Sequence, residues 1–166
     1  MATQRVIMRE DDRALQEHLL YVLRGDGAHI EFEAAAKEMP PELQGRKPAG
    51  AAHTPWQLLE HIRISQRDVL DSLRNTKHVS PDFPDGYWPM AEAPASGNAW
   101  QKSADQFRAD REAIAEIVAH DSRDLFAILP GTEGQTIARK VLMIAVHTSY
   151  HLGQLVLLRR MLNCWE

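Results

Sequence analysis

Near its C-terminus, inside an apolar stretch, the chain reads His147-Thr148-Ser149-Tyr150-His151. On a helix, residues four apart lie within ~40° of one another around the axis, so both imidazoles leave the same face. Two adjacent imidazoles are a good start to a metal site. The same spacing also arises from two partly buried histidines that only satisfy hydrogen bonds. A third histidine shifts the balance towards a metal. His61 lies in Trp56-Gln57-Leu58-Leu59-Glu60-His61-Ile62, where Leu58, Ile62, Ser65 and Val69 recur at helical spacing. That periodicity puts His61 at the margin of a buried stripe, pointing inward or nearly so.

Two long helices must position these rings. The one that carries His61 has a clean start: Thr54 is a good N-cap, Pro55 suits the first helical position and Gln57 can reach back as in a capping box. It runs over about residues 55–75 and sets His61 about two turns in. The C-terminal helix begins after Thr136 and runs to about residue 162, with Ile137, Val141, Ile144, Thr148, His151, Leu155, Leu158 and Leu162 along one side. At that length it spans ~40 Å, so its middle, where His147 and His151 sit, must pack against other helices.

Two further helical segments are predicted. The first covers residues 12–39; Gly25 and Gly27 interrupt it, making either one bent helix or two short ones, and Pro40-Pro41 ends it. The other starts at an Asn98 cap with Gln101 three residues on, buries Trp100, Ala104, Phe107, Ile114, Ile117 and Val118, and ends near residue 120. Before it, residues 76–98 form a long loop with four prolines and with Phe83, Tyr87 and Trp88. Loops of this length are often functional, and these aromatics either fold over one end as a lid or plug a gap in the core. β-Branched residues nowhere alternate for long with polar ones. Four amphipathic helices without a sheet imply an all-α helix bundle, in which metal sites are built from facing helices.

The chain has 166 residues, enough for one domain over 1–166 with a single core. Its net charge is −4 and its Lys and Arg are scattered, so the electrostatic source of nucleic-acid binding is missing. Cys164 is the lone cysteine, which suits a reducing compartment; as a ligand it would have to reach back more than three turns from His151. No signal-peptide core opens the sequence and no stretch approaches the ~20 apolar residues of a membrane span. The expectation is a cytoplasmic protein without nucleic-acid or membrane partners.

In His53-Thr54-Pro55-Trp56-Gln57-Leu58-Leu59-Glu60-His61 and in His147 through Leu155 the chain resembles the DinB-like superfamily of metal-binding four-helix bundles, and the resemblance covers nearly the whole sequence. It implies a divalent ion held by one histidine of the second helix and two of the fourth, which correspond to His61, His147 and His151. It also implies a four-helix bundle with one long crossover between its second and third helices, for which residues 76–98 have the length. Three neutral imidazoles leave coordination positions open, as catalytic zinc and nickel sites do.

Of the other residues, His29 follows the glycine-rich break and is a candidate fourth ligand or supporting group. His53 precedes the helix cap, and His18, His78 and His120 read as surface residues; none of the four is expected to enter the site. Glu60 points ~100° away from His61, which leaves it an outer-sphere or helix-dipole role. Tyr150, Gln154 and Gly153 read as packing, Gly153 permitting close helix approach. Two functions are expected to compete. In the first, which similarity to thiol-dependent transferases and isomerases and to metal-dependent hydrolases implies, the chain is a metal-dependent transferase or hydrolase of a small molecule, with a low-molecular-weight thiol as cosubstrate in the transferase case. No general base is identifiable. In the second the chain is a non-catalytic, stress-associated bundle with a structural metal or none, and the apolar Val156, Leu157, Leu158 and Met161 support a homodimer.

Overall fold

Helix boundaries fall where proline, glycine and capping side chains put them. In the computed structural model, which describes residues 10–25, 28–120 and 123–165, the chain is all-helical. The first helix, α1 (Glu10–Arg24), stops at Gly25, whose φ of +78° is costly for any residue with a Cβ. Residues 12–39 therefore break into separate helices, the next being the short α2 (Phe32–Ala36). Pro41, expected only to end a helix, opens another, α3 (Pro41–Gln44), because proline is well tolerated at a first helical position.

α4 (Pro55–Arg74) forms the predicted capping box: Gln57 N donates to Thr54 Oγ1 and Thr54 N to Gln57 Oε1, both at 3.1 Å. α5 (Ala99–Val118) lacks the expected one. Asn98 makes no cap; its side-chain oxygen accepts instead from Ser96 Oγ at 2.9 Å. α6 (Ile137–Met161) starts as expected, with Thr136 Oγ1 accepting from Arg139 N. Among the described residues there is no strand, only an isolated bridge between Ile128 and Thr136.

α4 packs against both α5 and α6, and so does α1. The core falls into two clusters. One takes Leu58, Leu59 and Ile62 from α4 and Leu152, Leu155 and Leu158 from α6, with Phe32, Trp100 and Phe107. The other takes Val69, Leu70 and Leu73 from α4 and Ile137, Val141 and Ile144 from α6, with Leu19 and Ile114. Each fully buried Leu, Ile or Phe contributes roughly 1.5–3 kcal/mol, so both ends of the α4–α6 contact are firmly fixed. On α6, His147 and His151 fall between the residues of the two clusters, and on α4 His61 lies among those of the first.

By length and composition alone α6 would pass for a membrane span, which corrects the expectation that no stretch does. One side of it packs in the core, while Leu142, Met143 and Val146 are exposed. Of the four apolar residues near its C-terminal end, Val156 and Leu158 are buried and Leu157 and Met161 are exposed. Nothing lies within 4 Å of a Cβ placed on Gly153, so no helix approaches there.

The segment 76–98 is tied to the start of α4. Thr54 Oγ1 donates to Glu92 O at 2.7 Å, Gln57 Nε2 to Pro89 O at 3.4 Å, and Lys47 pairs with Glu92 at 2.7 Å. A Cβ on Gly45 would collide with Ala93 Cβ, so the loop seats closely there. The same residues that cap α4 thus fix the loop that lies beside His61. The loop is neither lid nor plug as a whole: Phe83 and Met90 are 87% and 100% exposed, whereas Trp88 turns inward.

Candidate metal centre

The three histidines converge. His61 Nε2 lies 3.0 Å from His147 Nε2 and 3.1 Å from His151 Nε2, and the three potential ligand atoms are all within 4.8 Å of one another. His61 and His151 are buried and His147 is half-buried.

Hydrogen-bond partners assign the tautomers. A carbonyl oxygen can only accept, so His61 Nδ1 carries the hydrogen that it donates to Tyr87 O at 2.9 Å, and Nε2 of the neutral ring is a bare lone pair. His151 Nδ1 donates to Gln154 Oε1 at 3.0 Å, which leaves its Nε2 bare as well. Two lone pairs then face each other at 3.1 Å with no hydrogen between them. His147 can place a hydrogen on Nε2 towards His61, since its Nδ1 is buried without a partner, yet that relieves only one contact. A cation shared by three lone pairs relieves all of them. The donor set therefore fits a metal ion, with two of the three ligands oriented by a second hydrogen bond.

Electrostatics agree. Burial pushes the pKa of His61 down to about 4, against the opposing pull of the Tyr87 carbonyl and with help from His151 and His53. Burial, then His151 and His61, take His147 to about 4. His151 is lowered by burial, against the Gln154 hydrogen bond. All three rings are neutral near pH 7, the state that ligates.

Around this centre the structure places groups that the sequence alone left outside it. Trp88 stacks on His61 with ring centroids 3.8 Å apart and planes 2° from parallel. Its other face stacks on His53 at 3.8 Å and 12°, so His53 is not a remote surface residue. It lines a cavity of about 520 Å³ with Trp88, His151 and Gln154. Gln154, read as packing, orients His151. Asp68 accepts from Tyr87 Oη at 2.9 Å and contacts His78 Nε2 at 2.7 Å, so His78 is half-buried and anchors the loop that brings the Tyr87 carbonyl to His61. Gln154 was within reach of sequence reasoning, because residues three apart are neighbours on a helix. Trp88, Tyr87 and His53 meet only through loop packing, which no local periodicity encodes.

Other candidates fall away. His29 is exposed, donates from Nδ1 to Ile30 O at 2.8 Å and meets Ser149 Oγ at 2.7 Å through Nε2; it is not among the three converging rings. Glu60 turns to α5, where it accepts from Ser103, and also accepts from Arg63 of its own helix. Tyr150 is exposed and meets His151 edge-on at 4.9 Å. Cys164 packs its sulfur 3.7 Å from Met39 Sδ. His18 and His120 are exposed, as expected.

A sequence model of the DinB superfamily matches residues 16–155, a span that includes the three histidines and the whole 76–98 loop. Comparison with curated proteins and with solved structures gave no match.

Proposed function

The chain belongs to the DinB superfamily, and from that premise we propose that it is a metal-dependent enzyme of the transferase or hydrolase type, with His61, His147 and His151 holding a divalent ion. We read its four long helices as the superfamily's four-helix bundle over a single domain, residues 76–98 being the long crossover between the second and third. Zinc or nickel suits three neutral imidazoles. The observation that carries the reading is the pair of proton-free Nε2 atoms of His61 and His151, 3.1 Å apart in a buried site.

When bound, such an ion supplies a Lewis acid that makes water or a thiol nucleophilic near neutral pH. The chain's own residues do the rest. Tyr87 and Gln154 fix the ring orientations of His61 and His151. Trp88 covers one face of His61 against water. The cavity beside His151 gives a small molecule room to approach, and a low-molecular-weight thiol is the cosubstrate of the transferase alternative.

The test combines elemental analysis of purified protein with His61→Ala, His147→Ala and His151→Ala, and a panel of thiols, electrophiles and hydrolysable esters. One equivalent of metal in the wild type and its loss in each variant is expected, with turnover that follows metal content. Metal content unaffected by all three substitutions would abolish the reading. A second reading, a structural metal in a non-catalytic homodimer, is favoured by exposed Leu142, Met143, Val146, Leu157 and Met161 on α6. Light scattering that shows a monomer removes the dimer from it, and turnover above that of metal-free protein removes the rest.

A further inference from the structure

The cavity beside His151 has a chemical character of its own. Its volume of about 520 Å³ matches small-ligand sites. Ala51, Ala52, Leu58, Leu157, Leu158 and Met161 supply most of its wall, and no Asp, Glu, Lys or Arg lines it. A carboxylate or ammonium seated there would lose water and gain no counter-charge, which is expensive. The concave surface on the His147 side of α6 differs in this respect, for it includes Arg139.

Polar groups are few and mostly occupied. Gln154 Oε1 and His151 Nδ1 satisfy each other. Tyr150 is exposed and Gln154 half-exposed, so their remaining polar atoms meet water, whereas stacking on Trp88 fixes the plane of His53 and among the described residues nothing hydrogen-bonds to its ring. Two imidazoles thus border one apolar chamber, one belonging to the proposed metal centre and one free to bond a ligand.

We propose that this cavity binds an uncharged, largely apolar small molecule whose single polar atom hydrogen-bonds to the His53 ring, in the cavity that His151 also borders. The inference rests on the metal-centred reading for what happens to that atom, and it narrows the substrate to a neutral apolar compound. A carboxylate-bearing cosubstrate belongs on another side of the centre. His53 is a specificity-determining group here, a hydrogen-bond partner for the ligand.

The probe is N-phenyl-1-naphthylamine, an uncharged fluorophore with one N–H, set against 8-anilinonaphthalene-1-sulfonate, which is the same skeleton carrying a negative charge. Both are titrated into the full chain, as purified and after chelation, while metal content and oligomeric state are measured on the same samples. The neutral probe is expected to bind one per chain, about tenfold or more tighter than the sulfonate in chelated protein. Leu157→Glu changes a side chain that is 56% exposed, so the fold and the metal content are retained while neutral-probe binding falls about tenfold. His53→Phe keeps the stack on Trp88 and lowers affinity severalfold. Equal binding of the two probes, no binding of the neutral one, or indifference to Leu157→Glu overturns the inference. A wild-type dimer that Leu157→Glu splits, with the probe binding only the monomer, overturns it too, because the cavity is then a seam between copies. Selective neutral-probe binding in protein that never retains metal leaves the cavity assignment standing and removes the metal-centred reading instead.

Discussion

Helix α4 presents polar side chains to two neighbours and treats them in opposite ways. Towards α5, acceptors meet donors: Glu60 takes two hydrogen bonds from Arg63 and one from Ser103, Gln66 Nε2 donates to Phe107 O at 2.6 Å, and Asp110 Oδ1 accepts from Gln106 and Arg67. Among the described residues Asp110 Oδ2 of α5 and Ser65 Oγ of α4 are buried without a partner. Towards α6, three bases crowd together, and the hydrogens on His61 and His151 point outward, to Tyr87 and Gln154. The first interface pairs nearly all of its charges and explains itself as structure. The second lacks one positive charge, and burying it in that condition costs stability unless something is gained by it.

The sharpest way to break this contrast is to lower the pH. An imidazole held near 4 when folded and near 6.5 when unfolded is neutral in both states at pH 7.5, so its contribution is then fully present. Between 6.5 and about 4 the unfolded chain takes up protons that the folded one refuses, and stability falls as pH falls. Each unit of depression is worth about 1.4 kcal/mol, and His61 and His147 both carry the shift, so this is the largest effect expected. Thermal melts of chelated wild type and of His61→Ala across this window test it. The wild type should lose stability steeply from pH 6.5 downward and the variant markedly less; parallel curves would mean that the rings do not govern acid sensitivity.

Next in size is a change on the paired side. Burial pushes the Glu60 carboxyl up, but hydrogen bonds from Arg63 and Ser103 outweigh it and hold it below its usual range. Glu60→Gln removes the charge that Arg63 needs and should destabilise the fold by about 1.5–3 kcal/mol in urea titration. Metal content should not change. Were Glu60→Gln to cost metal and not stability, the division of α4 into a structural face and a ligand face would be wrong.

How far the sequence spoke follows the same division. The shared face of His147 and His151 and the start of α4 were legible because both are local patterns on single helices, four-residue spacing in the one and Thr54-Pro55-Trp56-Gln57 at the cap in the other; that His61 of another helix meets the pair was implied by the family resemblance. Where local rules compete, the reading slipped. Asn98 has the right neighbours for a capping box, but Ser96 engages its side chain first. His53 sits just before a cap, an ordinary surface place, and becomes part of the site only because residues 76–98 bring Trp88 against it. The loop's anchors lie far apart in sequence, at Thr54, Gln57 and Asp68, and each is a side chain or carbonyl pairing that periodicity cannot foretell. His29 shows the converse: a suggestive location, but the chain takes its ring to Ser149.

The smallest expected effect probes the ligand face from within. Of the three imidazoles, His61 and His151 have a partner on Nδ1, and His147 has none. The Tyr87 carbonyl belongs to the backbone and cannot be deleted by substitution, but Gln154 can. In Gln154→Ala, His151 keeps its place on α6, since Leu152 and Leu155 still pack in the core on either side. Its ring, however, loses the acceptor that fixes the Nδ1–H tautomer. Gln154 is half-exposed, so water can replace that acceptor in part, and the loss should lie at the low end of supporting-residue effects, about tenfold in metal affinity. Fold stability in chelated protein should change by less than about 1 kcal/mol. Competition with a chromophoric chelator measures the first quantity and urea titration the second. Gln154→Glu should restore the acceptor and recover most of the affinity; if it does not, Gln154 holds His151 through packing and the tautomer argument fails at that ring.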